Sequence, residues 1–217
     1  MQDFIDVTGL VLKQSPVGEY DRRITLLTKE RGKLAAFAKS ARKQGSRFGA
    51  STCPFCFGTF RLFEGKSSYT VSDADISNYF EELMKDYEGA YYGMYFAEIA
   101  DYYTRENNDE TDMLKLIYQS LRALTTSSLD RRLVKAIYEI KSITVNGEFP
   151  GISEAEAAGM NESTVYAVRF IERTPIEKLY TFAVTDEVLT ELSRLAAEYR
   201  KRYMDRNFKS LEIIENL

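Results

Sequence analysis

The 217-residue sequence predicts an α+β protein of two domains, a five-stranded OB-fold barrel followed by an all-helical domain. Three observations lead there. Short apolar runs separated by turn residues fill the first third. Apolar residues then recur at three- and four-residue spacing, the period of helices packed on one face. Charge changes sign at the same border: residues 1–76 carry twelve basic against eight acidic side chains, +4, and residues 77–217 carry seventeen against twenty-five, −8. The domains are therefore placed at residues 1–77 and 78–217.

The strands are expected at Val7–Leu12, Ile24–Thr28, Leu34–Ala38, Phe55–Phe63 and Tyr69–Ile76. Ser15-Pro16-Val17-Gly18, Arg31-Gly32 and Glu64-Gly65 supply turns between them, and the Gly45/Gly49 segment a longer loop. Five strands suit an OB-fold, although SH3-like barrels use the same number. Beyond Ile76, helical stripes run through Tyr92, Tyr95, Phe96, Ile99 and Tyr103, then Leu114, Ile117, Leu121 and Leu124. Leu133, Ile137 and Ile140 form a third, and Val188, Leu192, Leu195, Ala196 and Tyr199 a last one. Asp109 and Ser127 or Ser128 stand where N-caps of the second and third belong.

Composition removes several function classes. Histidine is absent, which excludes Ser-His-Asp and Cys-His nucleophiles and any histidine-ligated metal. The two cysteines form one local pair, Cys53-Pro-Phe-Cys56, so no disulfide framework is expected. That pair is half of a zinc site with no second half, and it enters an aromatic strand where a redox dithiol would open a helix, so a structural role is expected. Paired acids such as Glu81-Glu82 and Asp73/Asp75 suit solvated surface better than catalysis, and neither enzyme activity nor a cofactor is expected. No apolar stretch reaches a membrane span, and MQDFIDVTG lacks a signal-peptide layout, so a cytoplasmic protein is expected.

The segment Arg22 to Arg47 holds nine basic residues against one acid, Glu30, a net +8 in a chain of −4. Positive charge so concentrated points to an anionic partner, and each neutralised phosphate of a nucleic acid releases a condensed counterion. In Lys33-Leu-Ala-Ala-Phe-Ala-Lys39, strand alternation puts Lys33, Ala35, Phe37 and Lys39 on one face and Leu34, Ala36 and Ala38 on the other. A ring between two ammonium groups suits single-stranded nucleic acid, cations tracking phosphates while the ring stacks a base. The reversed register, with Phe37 in the core, is the alternative. The following loop, Lys39 to Gly49, adds Arg42, Lys43 and Arg47 with no acid, and Ser40 and Ser46 as hydroxyl donors. It has no Walker pattern. Arg22, Arg23, Lys33, Lys39, Arg42, Lys43 and Arg47 are the phosphate-contacting candidates, with Phe37 and Phe48 the stacking ones.

Five short motifs occur in order here: Gly9-Leu-Val-Leu12, Gly18-Glu19-Tyr-Asp21-Arg22, Thr28-x-x-x-Gly32-Lys33, Ala38-Lys39-x-Ala41-Arg42 and Ser46-Arg47. Together they resemble the N-terminus of the bacterial recombination mediator RecO family, and Phe208-Lys209-Ser210-Leu211 resembles its closing motif. The resemblance implies an N-terminal OB-fold, a helical C-terminal domain, DNA binding and strand annealing, with RecR and single-stranded-DNA-binding protein as partners. Some of that family carry a four-cysteine zinc module in the helical domain. Residues Asn146 to Thr164 here contain neither cysteine nor histidine, so no zinc is expected.

One further site is expected on the third helix, where Arg131, Lys135 and Tyr138 lie at three- and four-residue steps. A cationic face beside a ring suits an acidic peptide, and the resemblance makes the acidic tail of single-stranded-DNA-binding protein its candidate occupant. The sequence as a whole reads as a mediator of DNA repair and recombination that binds single-stranded DNA, with duplex DNA also possible. It would promote annealing, assist recombinase loading and work at the nucleoid. A protein-interaction module whose basic patch docks an acidic peptide is the alternative.

Overall fold

In the computed structural model, which describes residues 3–217, the apolar runs of the first third form five strands. They are β1 (Phe4–Val17), β2 (Asp21–Thr28), β3 (Gly32–Ala38), β4 (Phe57–Glu64) and β5 (Tyr69–Asn78). Met1 and Gln2, which open the stretch read for a signal layout, lie outside the described residues. The strands close in the order β1-β2-β3-β5-β4, with β4 antiparallel to β1 and β5, and β3 parallel to β5. This is the five-stranded OB-fold barrel expected, but Ser15, Pro16 and Val17, read as a turn, continue β1 and pair with Arg23, Arg22 and Asp21. Its interior is Val7, Val11, Ile24, Leu26, Leu34, Ala36, Phe60, Leu62 and Val71. Each such side chain contributes about 1.5–3 kcal/mol when fully buried. β1 changes register between Val11 and Lys13. There Val11 donates its N–H to Cys56 and accepts from the Phe55 N–H, so both backbone groups stay paired at the irregularity.

Polar side chains fix the barrel's turns. Thr28, fully buried, donates its hydroxyl to the Gly32 carbonyl and accepts from the Arg31 N–H, which accounts for the Thr28-x-x-x-Gly32 spacing. Gly32 has φ +62°, and a Cβ there would lie 2.3 Å from the Arg105 carbonyl oxygen. Only glycine suits that conformation and that approach. Glu30, the one acid of the basic cluster, accepts the Thr8 N–H at 2.8 Å. It therefore satisfies a backbone N–H of β1, and the carboxylates nearest the cluster's cations come from elsewhere: Glu64 lies 3.9 Å from Arg31, Asp101 3.1 Å from Lys33 and Asp73 4.0 Å from Arg47.

The helices are α1 (Phe48–Ser51), set between β3 and β4, then α2 (Glu81–Lys85), α3 (Tyr87–Tyr103), α4 (Thr111–Leu124) and α5 (Arg131–Val145). After these come α6 (Glu154–Ala158), α7 (Glu162–Arg173), a 3-10 turn at Ile176–Lys178, α8 (Asp186–Tyr203) and α9 (Lys209–Ile214). The chain divides into two compact units. Residues up to Lys85 together with Ala97–Leu114 form the first, and Asp86–Phe96 with Lys115–Leu217 the second, so α3 contributes to both. None of the described helices is long and apolar enough to cross a membrane.

In the second unit α5 is buried along most of its length, against α7 and α8. Its N-cap is Asp130, which accepts from the Arg132 N–H, and not Ser127 or Ser128 as expected. Asp109 does accept from the Thr111 N–H at the start of α4. The cysteine-free stretch Asn146 to Thr164 holds α6, opened by a capping box of Ser153 and Glu156. Three charged side chains, Glu139, Lys141 and Arg200, are buried in this unit. Lys141 Nζ donates to the Ile171, Glu172 and Thr174 carbonyls, closing the C-terminal end of α7 with a cation. The Glu139 carboxyl group, 0% exposed, receives the Tyr95 hydroxyl and lies 3.1 Å from Lys135 Nζ and 3.3 Å from Arg200 Nε.

Candidate nucleic-acid interface

The expected alternation of β3 is present: Leu34, Ala36 and Ala38 point into the barrel, and Lys33, Ala35 and Phe37 point outward. Phe37 is thus a surface ring, flanked in the ladder by Arg23 of β2 and Thr70 of β5. Arg23 itself is exposed. With Ala35, Phe37, Tyr69 and the Gly65–Ser68 loop it lines a cavity of about 570 Å³ whose other walls are Glu64 and Glu106. Tyr69 donates its hydroxyl to Glu64 at 3.4 Å. Burial raises the pKa of that hydroxyl, and the Glu64 and Glu106 carboxylates raise it further, so it stays a donor.

Beside this cleft, the loop after β3 carries Lys39, Arg42, Lys43 and Arg47, all exposed. The β1–β2 turn holds it in place. The Arg42 N–H donates to the Tyr20 carbonyl, and its guanidinium donates to the Gly18 and Glu19 carbonyls at 3.2 Å each. Lys43 Nζ sits 4.8 Å from the centre of the Tyr20 ring, which is itself 44% exposed. Asp21 accepts the Ser40 N–H at 2.7 Å, fixing the residue where the loop reverses at φ +57°. Arg47 donates to the Ser72 carbonyl at 2.6 Å and packs its guanidinium over the Phe48 ring. The loop is therefore a cationic ridge anchored through its backbone and through the guanidinium groups of Arg42 and Arg47.

Several expected site residues are placed elsewhere. Phe48 is 7% exposed and packs in the barrel core, because α1 turns its ring inward beneath Arg47. It has no face for a base. Arg22 is a structural tether: its guanidinium donates to the Gly49 carbonyl at 2.9 Å and the Thr52 hydroxyl at 2.7 Å, holding α1 against β2. Lys33 leaves the cationic face because its Nζ reaches the Asp101 carbonyl at 2.5 Å and the Asp101 carboxylate at 3.1 Å. The set facing solvent on the barrel is Arg23, Phe37, Lys39, Arg42, Lys43 and Arg47.

The expected peptide face on α5 is also internal. Tyr138 is 0% exposed, stacks on Phe96 and donates its hydroxyl to the Phe96 carbonyl. Lys135 is held by Glu139, and Arg131 by Asp86 and by Glu88 at 2.8 Å. The three residues do share a face, as their spacing required, but Tyr138 is buried, and Lys135 and the partly exposed Arg131 already face carboxylates. The cysteine pair is structural in form as well. Cys56 lies in the barrel core, and burial, with the nearby Cys53 sulfur, pushes its thiol up to about 12.

The sequence reading missed Tyr20, Tyr69 and Lys66. Tyr20 is visible as an aromatic residue inside a Gly18-led turn next to the basic cluster. Tyr69 and Lys66 flank the Gly65–Ser68 loop that joins β4 to β5, the loop which in OB-folds borders the nucleic-acid face.

Known proteins place this arrangement. The family description "Recombination protein O N terminal" matches residues 1–80, and "Recombination protein O C terminal" matches residues 84–155 and 151–212. The chain belongs to the RecO family. Similar proteins include the DNA repair protein RecO of Acetivibrio thermocellus, 26% identical over 245 aligned positions that cover 99% of this chain and 98% of the relative. The DNA repair protein RecO of Clostridium perfringens strain 13 is 25% identical, with 97% of each chain covered. That of Alkaliphilus metalliredigens is 24% identical, with 98% of this chain and 99% of the relative covered. RecO membership assigns the protein to DNA repair and recombination.

Proposed function

We propose that this protein is a non-enzymatic mediator that binds single-stranded DNA on the barrel, anneals complementary strands and assists recombinase loading. The observation that supports this most is the joining of a cationic ridge to an aromatic cleft on one face. Arg42, Lys43 and Tyr20 lie at one end, and Arg23, Phe37 and Tyr69 at the other. Cations along a groove track phosphates, and exposed rings stack bases for about 1–3 kcal/mol each. Neutralising phosphates also lowers the repulsion between two strands, so annealing needs no covalent step. RecR and the acidic tail of single-stranded-DNA-binding protein enter as partners through the family resemblance, and the nucleoid as the place of action. The burial of Tyr138 and the carboxylates already facing Arg131 and Lys135 favour a docking place elsewhere on the protein for a tail peptide.

Annealing of two complementary oligonucleotides, followed by fluorescence, tests this reading. The native protein should accelerate annealing at low salt and lose the effect as salt rises, while Phe37→Ala should slow it about fivefold or more. No acceleration at any salt, or an acidic peptide binding the ridge more tightly than DNA does, overturns it.

A further inference from the structure

The cleft beside Phe37 contains two groups that a plain phosphate-binding surface would avoid. Glu64 and Glu106 both line it, opposite Arg23 and Lys66. A carboxylate repels a phosphate and accepts hydrogen bonds without donating any. The carboxylates therefore disfavour a phosphate inside the cavity and favour an occupant that donates hydrogen bonds. At about 570 Å³ the space falls within the range of small-ligand pockets. Ala35 leaves the outer face of β3 low beside the Phe37 ring, and Tyr69 stands on the neighbouring strand β5. A flat ring is the natural occupant of a site with two aromatic walls.

Nucleobases differ in what they offer such a site. Unpaired guanine presents two adjacent donors, N1–H and the N2 amino group, which match the two oxygens of one carboxylate. Cytosine and adenine each present one amino group. Thymine presents a single N3–H between two carbonyl oxygens, which two carboxylates repel. Guanine is therefore the best fit and thymine the worst. Glu64 keeps accepting capacity for this, since Tyr69 reaches one of its oxygens at 3.4 Å and Arg31 lies 3.9 Å from the other. Glu64 accepts the Tyr69 hydroxyl, and Glu106 lines the same cavity.

We infer that the cavity between Phe37, Tyr69 and the Gly65–Ser68 loop is a base-reading pocket in which Glu64 and Glu106 select guanine over thymine in single-stranded DNA. The inference rests on the reading of this face as a DNA interface, and adds base selectivity to it. Such a pocket admits a base only when it is unpaired, so it also favours single strands over duplex.

The test compares two oligonucleotides of equal length, one of thymidine alone and one alternating guanosine with thymidine. Binding to the native protein and to E64Q/E106Q is measured by fluorescence anisotropy at two salt concentrations. The native protein should bind the guanosine-containing strand about tenfold more tightly, the discrimination of one good bidentate base contact. The ratio should hold at both salts, because it does not arise from phosphate contacts. In E64Q/E106Q, whose exchanged groups lie outside the barrel core, the ratio should fall to about twofold or less, mainly because thymidine binds better. Equal, salt-sensitive binding of both strands by the native protein overturns the base-reading pocket and leaves the DNA interface standing. An undiminished preference in the double variant overturns the assignment to these carboxylates. Failure to bind either strand at low salt overturns the DNA interface itself.

Discussion

Replacing Glu139 with Gln tests whether the charges of α5 serve the fold or a partner. The Glu139 carboxyl group is 0% exposed and faces Lys135 and Arg200, whose side chains are 16% and 10% exposed. The substitution keeps the shape and a contact to the Tyr95 hydroxyl but leaves Lys135 without its anion and Arg200 with Glu215 at 3.9 Å. Removing one member of a buried ion pair costs about 3–5 kcal/mol. Both cations sit near enough to solvent to recover some hydration, which favours the lower figure. About 3 kcal/mol corresponds to a fall in Tm of about 6–12 °C for a chain of this size. Thermal unfolding by circular dichroism reads it. If the buried charges are the cause, exchanging Lys135 and Glu139 together for Met and Leu should recover part of the loss, since the pair is removed and not broken. An E139Q protein melting within about 2 °C of the native one would refute the reasoning, and would reopen Lys135 as a binding residue.

Two other outcomes follow from the same structure. Lys141→Met should lower stability by about 2–4 kcal/mol, because three carbonyls at the end of α7 lose a charged donor; urea denaturation measures this, and Lys141→Arg should retain part of the effect. Burial alone would raise the carboxyl pKa of Asp101, but hydrogen bonds and charge from Lys13 and Lys33 outweigh it and hold the group below its ordinary value. A pKa depressed in the folded state contributes stability above its unfolded value of about 3.9 that is lost as pH falls below it. Stability should therefore decline below about pH 4, and less steeply in Asp101→Asn, as denaturation at several pH values would register.

Local patterns were legible and long-range pairings were not. The period-two run from Lys33 to Lys39 gave the register of β3 and the outward ring of Phe37 correctly, since alternation is a property of the strand alone. That Lys33 would be spent on Asp101 depends on a residue 68 positions away, so no spacing in the sequence reveals it. Phe48 follows three basic loop residues and reads as surface, yet the short helix α1 rolls it into the barrel. Arg131, Lys135 and Tyr138 were placed on one face correctly, but a helix packed on several sides has an internal cationic face only when distant acids meet it. Here Asp86 and Glu88, 45 and 43 positions away, meet Arg131, whereas Lys135 meets Glu139 one turn along its own helix, a pairing that the spacing does show. Helix α7 was overlooked although Val165, Val168 and Ile171 are spaced for it and Asn161 caps it. Several motif residues that carry the RecO resemblance have structural work in this barrel. Asp21, Arg22, Thr28 and Gly32 set its turns, which is why they signalled the fold more surely than they marked contacts to DNA.

The account's central claim is that the ridge and cleft of the barrel hold single-stranded DNA through phosphates. Oligonucleotide binding across a series of salt concentrations, for the native protein and for Arg42→Ala with Lys43→Ala, tests it most directly. Arg23, Lys39, Arg42, Lys43 and Arg47 are the exposed candidates. With about five phosphate contacts at about 0.7 each on a single strand, log K should fall against log salt with a slope near −3.5. The double variant should bind more weakly to every sequence, with a slope near about −2. A native slope close to zero, or a double variant with unchanged affinity and slope, would contradict the claim.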